Sequence, residues 1–225
     1  NYYGSTFVLE QSQSQNQKFK ITRQTITIVD QIFQGVAQKN KNMNLLQKFQ
    51  LTTSYETDRM ISYLESFKFF SMPKEISSKE LVGKIFYTDG GANPSSGGPG
   101  GFGCVLVDGN IVETYSYGFQ KTTNNRMELL AIQCALQNSI GAITIASDSQ
   151  YSINCFTKWC DAWVKQKKFS NQKDKLKNVD LIATICIELL NRNVKFIKVK
   201  GHSKQTGNDA ADKATWLFRG QGPQF

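Results

Sequence analysis

Asp89 closes the apolar run IFYT and Asp148 closes ITIAS, so two carboxylates stand where buried strands give out. In an α/β sheet, sites form outside the carboxyl ends of strands, and parallel neighbours would bring both acids to one edge. Two acids placed so repel each other unless a cation neutralises them. Ligands that are all oxygen, with no Cys or His cluster, suit Mg²⁺ or Mn²⁺. A pair of such ions about 4 Å apart can activate water and stabilise the leaving oxygen of a phosphodiester. Two further acids sit near helix starts, Glu128 in NNRMELLA and Asp212 in NDAADKAT. Taken singly, each of the four also reads as a solvated charge or a helix-terminus acid. His202, the only histidine of the chain, lies in the polar stretch KGHSKQTGND, an unsuitable place for a core histidine.

The glycines after Asp89, in TDGGANPSSGGPGGFG, invite a second reading as a phosphate cradle. A P-loop requires G-x-x-x-x-G-K-[ST], and no Lys-Ser or Lys-Thr follows here. A dinucleotide fold requires a helix directly after the loop, whereas GFGCVLV has the pattern of a strand. The metal reading stands, and on it these glycines let a phosphodiester backbone lie close to the ions.

The elements that must position the acids follow from periodicity. KIFYTD is a buried strand, and GFGCVLVDGN with IVETYSYGF forms a hairpin around an Asp-Gly-Asn turn. NNRMELLAIQCALQNS is an amphipathic helix, AITIASD a strand, and SQYSINCFTKW with DAWVKQK helical. NVDLIATICIELLNR, VKFIKVKG and NDAADKATWLFRG complete the order as helix, strand and helix. A three-strand meander followed by alternating helices and strands predicts a mixed α/β sheet flanked by helices.

Residues 1–83 differ in texture, being rich in Gln, Ser, Thr and Asn. QSQSQNQ is a polar tract, KFKITRQTITIVD alternates like a strand, and SYETDRMISYLESFKFF has helical spacing. SMPKEISSKELVG reads as a linker. The expected division is an amino-terminal extension over 1–72, a linker over 73–83, a catalytic domain over 84–219 and a tail over 220–225.

The net charge of +9 suits a polyanionic partner. Lys165, Lys167, Lys168, Lys173, Lys175 and Lys177 crowd together, which fits either a solvated loop or a phosphate-binding patch. The five cysteines form no C-x-x-C pair, and three of them sit in apolar helical or strand patterns, where Cys behaves as a small hydrophobe; a reducing compartment fits best. No apolar run approaches the roughly 20 residues of a membrane span, so membrane insertion is not expected. The first residue is not Met, which fits a processed or trimmed end, and no secretory signal pattern is visible. The expected location is intracellular, in a nucleus or mitochondrion rather than outside the cell.

YTDGGANP, TTNNRMELLA, SDSQYSINCFTKW, the lysine-rich stretch ending in KN, and VKGHSKQTGNDAADKAT together resemble type 1 ribonuclease H, over about residues 84–219. The resemblance implies a five-stranded mixed sheet in the order 3-2-1-4-5, counted from KIFYTD. It implies an endoribonuclease that cuts the RNA strand of RNA–DNA hybrids by two-metal-ion hydrolysis, leaving 3′-hydroxyl and 5′-phosphate ends. Asp89, Glu128, Asp148 and Asp212 match the metal-binding carboxylates, with Asp89 between two Mg²⁺ (or Mn²⁺) ions. His202 matches a residue on a mobile loop that assists proton transfer or product release. Asn93, Asn124 and Gln150 match positions contacting RNA, where an amide can both donate to and accept from a 2′-hydroxyl. Lys121, Thr123 and Asn178 align with a pocket for a DNA-strand phosphate. Trp159 and Trp163, whose four-residue spacing alone would suggest core packing, match aromatic residues of a basic protrusion that lines a channel for DNA sugars. Phe169 takes the place of a further tryptophan there.

For residues 1–72 the resemblance offers a degenerate hybrid-binding module, and the composition equally fits an element that docks on the catalytic domain or on a protein partner. Two other functions stand beside the enzyme. One is a ribonuclease H-like domain serving as a structural or nucleic-acid-binding subunit of a larger assembly. The other is a fragment of a reverse transcriptase, for which residues 1–83 hold no Tyr-x-Asp-Asp turn.

Overall fold

The computed structural model describes residues 54–67, 72–77, 80, 84–171, 173–190, 192–201 and 206–220. The strand expected in KFKITRQTITIVD, the QSQSQNQ tract and His202 lie outside the described residues.

A six-stranded mixed sheet forms the centre, in the order β1-β6-β5-β2-β3-β4. Strands β2 (Lys84–Ala92), β3 (Gly98–Asp108) and β4 (Ile111–Thr122) make the antiparallel meander, and Gly109, at φ +60, turns the chain between β3 and β4. Strands β5 (Ile143–Ser147) and β6 (Val194–Lys198) continue the sheet in parallel on the other side of β2. All five residues of β5 are buried, as expected of a parallel strand covered on both faces. The five expected strands thus take the expected order. A sixth, β1 (Lys74–Glu75), comes from the stretch read as a linker and pairs with β6.

Helix α1 (Ser54–Leu64) belongs to the expected extension. It buries Met60, Ile61 and Leu64, spaced to share one helical face, and packs on α5 (Val179–Leu189). Burying three such side chains stabilises the contact by on the order of 5 kcal/mol. Helix α2 (Asn124–Gln137) is capped by Thr123, whose Oγ1 accepts from the Arg126 amide. Met127 is buried, and the helix's buried residues then run without a break from Leu129 to Leu136, because the sheet and α5 cover it from different sides. Helix α5 is apolar nearly all round for the same reason, held between α1 and α2.

Short helix α3 (Gln150–Asn154) runs through a π-helical turn at Cys155–Trp159 into α4 (Cys160–Lys165). Cys104, Cys134 and Cys155 are buried thiols, in keeping with their apolar surroundings. Cys160 and Cys186 are bridged, joining α4 to α5. That link departs from the expectation of cysteines kept in a reducing compartment. It arises because two apolar helix faces, 26 residues apart in sequence, meet in the core.

Helix α6 (Thr206–Leu217) lies on the face of the sheet opposite α2. Adjacent residues of β2 show this arrangement. A methyl on Gly90 would press on the Met127 carbonyl at 2.7 Å, and one on Gly91 would sit 2.9 Å from Cζ2 of Trp216. On β3, a methyl at Gly103 would meet the Ala214 side chain at 2.8 Å. Glycines therefore let α2 and α6 approach the sheet at the distance of backbone atoms.

Candidate active site

Asp89 and Asp148 emerge side by side, as their sequence context foretells, though for a slightly different reason. Strand β2 does not end at Asp89; it continues to Ala92 along β3, while its parallel ladder with β5 stops at Thr88 and Ser147. Asp89 is the first residue of β2 to outrun β5, and Asp148 is the first residue beyond β5. The notch between the two strands is the candidate site. Glu128 enters from α2, where the hydrogen bond from the Ala92 amide to Asn124 Oδ1, 2.6 Å, ties the helix start to the end of β2.

Carboxylate oxygens of Asp89, Glu128 and Asp148 lie within 4.8 Å of one another. Asp212 comes from α6 and shares with Asp89 and Asp148 a cavity of about 200 Å³, which Asn124, Asn208 and Trp216 also line. Removal from water and then the charges of Asp148 and Asp212 push the Asp89 carboxyl up to about 6, against the hydrogen bond from Thr215. Burial, followed by the charges of Asp89 and Asp148, raises Glu128 well above the ordinary carboxylate range, and Lys198 opposes that rise. Glu128 Oε2 and Asn208 Oδ1 are buried without a hydrogen-bond partner among the described residues. Buried oxygen acceptors left without donors, beside acids that repel, are what a hard divalent cation would satisfy. The donor set fits Mg²⁺ or Mn²⁺.

Side chains that sequence reasoning missed hold these acids in place. Thr215 Oγ1 lies 2.7 Å from Asp89 Oδ2 and 3.0 Å from the Ala211 carbonyl. A hydroxyl has one proton, so it donates to an ionised Asp89, and turns to Ala211 when Asp89 itself carries the proton. Trp216 Nε1 donates to Asp212 Oδ1 over 3.3 Å. Lys198 Nζ donates to the Asp148 carbonyl. The helical offsets of three and four residues from Asp212 could have flagged Thr215 and Trp216 as its neighbours.

The other expected contacts divide into groups. Asn93 is exposed between β2 and β3, and its amide donates to the Pro99 carbonyl at 3.0 Å. Gln150 is exposed at the start of α3 and donates to Asn154. Thr123 and Asn178 come together in a cleft of about 960 Å³, together with Asn124, Lys175 and Lys177. Asn178 has left-handed backbone (φ +57), and Arg126 secures it by bonds to its Oδ1 (3.5 Å) and to Asp180 (3.1 and 2.7 Å). Lys121 is exposed at the end of β4 and does not line this cleft. Thr57, Asp58 and Ile61 of α1 form its far wall.

Trp159 and Trp163 belong to a row of rings, Tyr151, Trp159, Trp163 and Phe169, with centroids 6.1, 5.7 and 6.2 Å apart. Trp159 is 37% exposed, whereas Phe169 is buried, so the row runs from surface to core. Lys165 pairs with Asp161 and Lys168 with Asp174, while Lys173, Lys175 and Lys177 are exposed and meet no acid among the described residues. Glu65, just after α1, accepts from the amide (3.0 Å) and hydroxyl (2.8 Å) of Ser170 and so fastens the lysine-rich segment.

The profile of the RNase H family matches residues 82–216. A protein of Lachnoclostridium phytofermentans named ribonuclease H is 39% identical over 134 residues, covering 56% of this chain and 85% of the relative. Its namesakes in Aeromonas salmonicida and Alcanivorax borkumensis are 38% and 36% identical over 131 and 130 residues, covering 56% and 57% of this chain and 83% and 85% of theirs. These relatives are bacterial and lend no support to the expected nuclear or mitochondrial address. No helix among the described residues is long and apolar enough to cross a membrane.

Proposed function

The chain belongs to the ribonuclease H family, and from that premise we propose that it cleaves the RNA strand of RNA–DNA hybrids by two-metal-ion hydrolysis, leaving 3′-hydroxyl and 5′-phosphate ends. The observation that carries this reading is the convergence of Asp89, Glu128 and Asp148, with a buried Glu128 oxygen that meets no donor among the described residues. Asp89, Glu128, Asp148 and Asp212 would hold two Mg²⁺ (or Mn²⁺) ions, which supply an activated water and stabilise the leaving oxygen.

The chain's own residues do the positioning. Thr215 and Trp216 fix the rotamers of Asp89 and Asp212, so the ligand oxygens are held before a cation arrives. Asn93, Asn124 and Gln150 would contact the RNA strand. Thr123 and Asn178, with Lys175 and Lys177 beside them, would take a DNA-strand phosphate in the large cleft, and the exposed face of Trp159 would meet DNA sugars. Lys121 and Trp163 would serve the same track, and His202 would assist proton transfer or product release, on the strength of the resemblance. Residues 84–219 would form the catalytic domain, with α1 as a docking element of the extension. Met60, Ile61 and Leu64 of α1 are covered where it packs on α5, which supports docking on the catalytic domain.

A purely structural role fits less well. Clustered acids whose burial and mutual repulsion push two of them upward destabilise a domain that has no cation to place among them. Incubating the chain and its Asp148→Asn variant with an RNA–DNA hybrid and Mg²⁺ tests the proposal. The parent should cut the RNA strand alone, and the variant should lose at least about 1,000-fold in rate. Equal rates, or no cutting by the parent, would overturn it.

A further inference from the structure

The final turn of α6 and the residues after it hold a cation that neither the resemblance nor the acid cluster accounts for. Gly118 on β4 lies directly beneath the Phe218 carbonyl, so the chain leaving α6 is pressed onto the sheet. Arg219 is thereby brought back over Trp216, its guanidinium carbon 5.1 Å from the ring centroid. One Nη2 hydrogen goes to the Asn93 carbonyl at 3.3 Å. A guanidinium has five N–H donors. The remainder find no protein acceptor among the described residues, and the charge meets no carboxylate there. The side chain is exposed, yet stacked on one side and bonded on another, so a ligand would not have to order it.

Its surroundings point to a ligand class. The same Trp216 that carries Arg219 donates to Asp212, so the cation and the acid site share one indole as a wall. Arg219 lies just past the end of α6 at Leu217, and its guanidinium rests on the indole whose Nε1 meets Asp212, so the two groups stand about one ring apart, within a few nucleotides along a strand. The Asn93 main chain closes the third side.

We propose that Arg219, mounted on Trp216 and the Asn93 carbonyl, is a subsite for a backbone phosphate of the RNA strand, a few nucleotides from the phosphate at the acids. The proposal rests on the ribonuclease reading. Trp216 acts as a positioning residue with two edges, one ordering an acid and the other a cation, so the cut phosphate and a neighbouring one are registered against the same ring.

The experiment compares parent, Arg219→Gln and Arg219→Lys in hybrid cleavage at several salt concentrations. Binding is followed by fluorescence anisotropy in the Asp148→Asn background, where the hybrid should stay uncut. Arg219→Gln should weaken binding about 5- to 20-fold and lower the slope of log K against log salt by about one. The loss should fall on KM rather than kcat, and Arg219→Lys should restore the slope. A single neutral methylphosphonate, moved along the RNA strand, should erase the difference between parent and Arg219→Gln at one position. Parental affinity and slope in a folded Arg219→Gln would overturn the proposal while leaving the ribonuclease reading intact, as would a methylphosphonate effect confined to the DNA strand. A parent that neither binds nor cuts the hybrid would sink both.

Discussion

The acid edge and the basic face of this domain are built on opposite principles. At the acid edge, short side chains from β2, α2, the end of β5 and α6 meet at a small cavity, and their placement depends on helices pressed to within backbone distance of the sheet. On the basic face, long lysines stand in solvent around a cleft several times larger, steadied by a few tethers such as Glu65 to Ser170. One region concentrates repulsion in a rigid, partly dry place. The other spreads attraction over mobile groups in water. Chemistry on a phosphodiester needs the first, because misplacement of about 1 Å can cost about 100-fold in rate. Capture of a polyanion needs the second, because screened charges act additively and tolerate motion.

The sharpest way to break the contrast is Gly90→Ala. Its methyl would strike the α2 backbone beside Glu128 and force the helix off the sheet. Hybrid cleavage should fall by about 100-fold or more, and stability by about 1–3 kcal/mol, read from kcat and a thermal melt. Near-parental activity would mean that the acid edge is as forgiving as the basic face.

The second test is a pH profile of metal-free stability. The folded-state value of Asp89, about 6, lies above its ordinary 3.8. The folded chain therefore binds that proton more tightly than the unfolded one, and its stability contribution is full below about 4 and lost as pH rises through about 6. Asp89→Asn should flatten this fall and raise the metal-free melting temperature above pH 6 by roughly 3–6 °C. Mg²⁺ should narrow the gap in the parent protein. A parent whose melting temperature does not fall between pH 4 and 7 would show that the acids are not in conflict.

The smallest effect belongs to the basic face. The double variant Lys175→Gln, Lys177→Gln should raise KM about 3- to 10-fold and reduce the salt slope by about two. Its kcat should stay within about twofold. An equal fall in kcat would erase the distinction between the regions.

What the sequence could reveal follows the same division. Local periodicity placed strands β2 to β6, the helix of α1 and the neighbourhood of the acids, because apolar runs and the carboxylates that follow them are adjacent in the chain. It misjudged why Asp89 stands where it does, since a strand has two partners and they stop at different residues. It read the glycines as room for a substrate backbone and did not foresee that Gly90, Gly91 and Gly103 each face a helix of the protein itself. That contact joins residues far apart in sequence, and nothing near them announces it. Thr215 was missed for the same reason: its partner Asp89 lies 126 residues away. Docking of α1 on α5 and the Cys160–Cys186 link likewise depend on which apolar faces meet, which periodicity alone leaves open.

The glycine seam has one further consequence. Because main-chain atoms, rather than interlocking side chains, set the gap between sheet and helices, the spacing of the acids is calibrated by covalent dimensions common to all proteins. Apolar residues behind β5 or α5 can therefore drift over generations without resetting that gauge, whereas a single added carbon at the seam would throw it out.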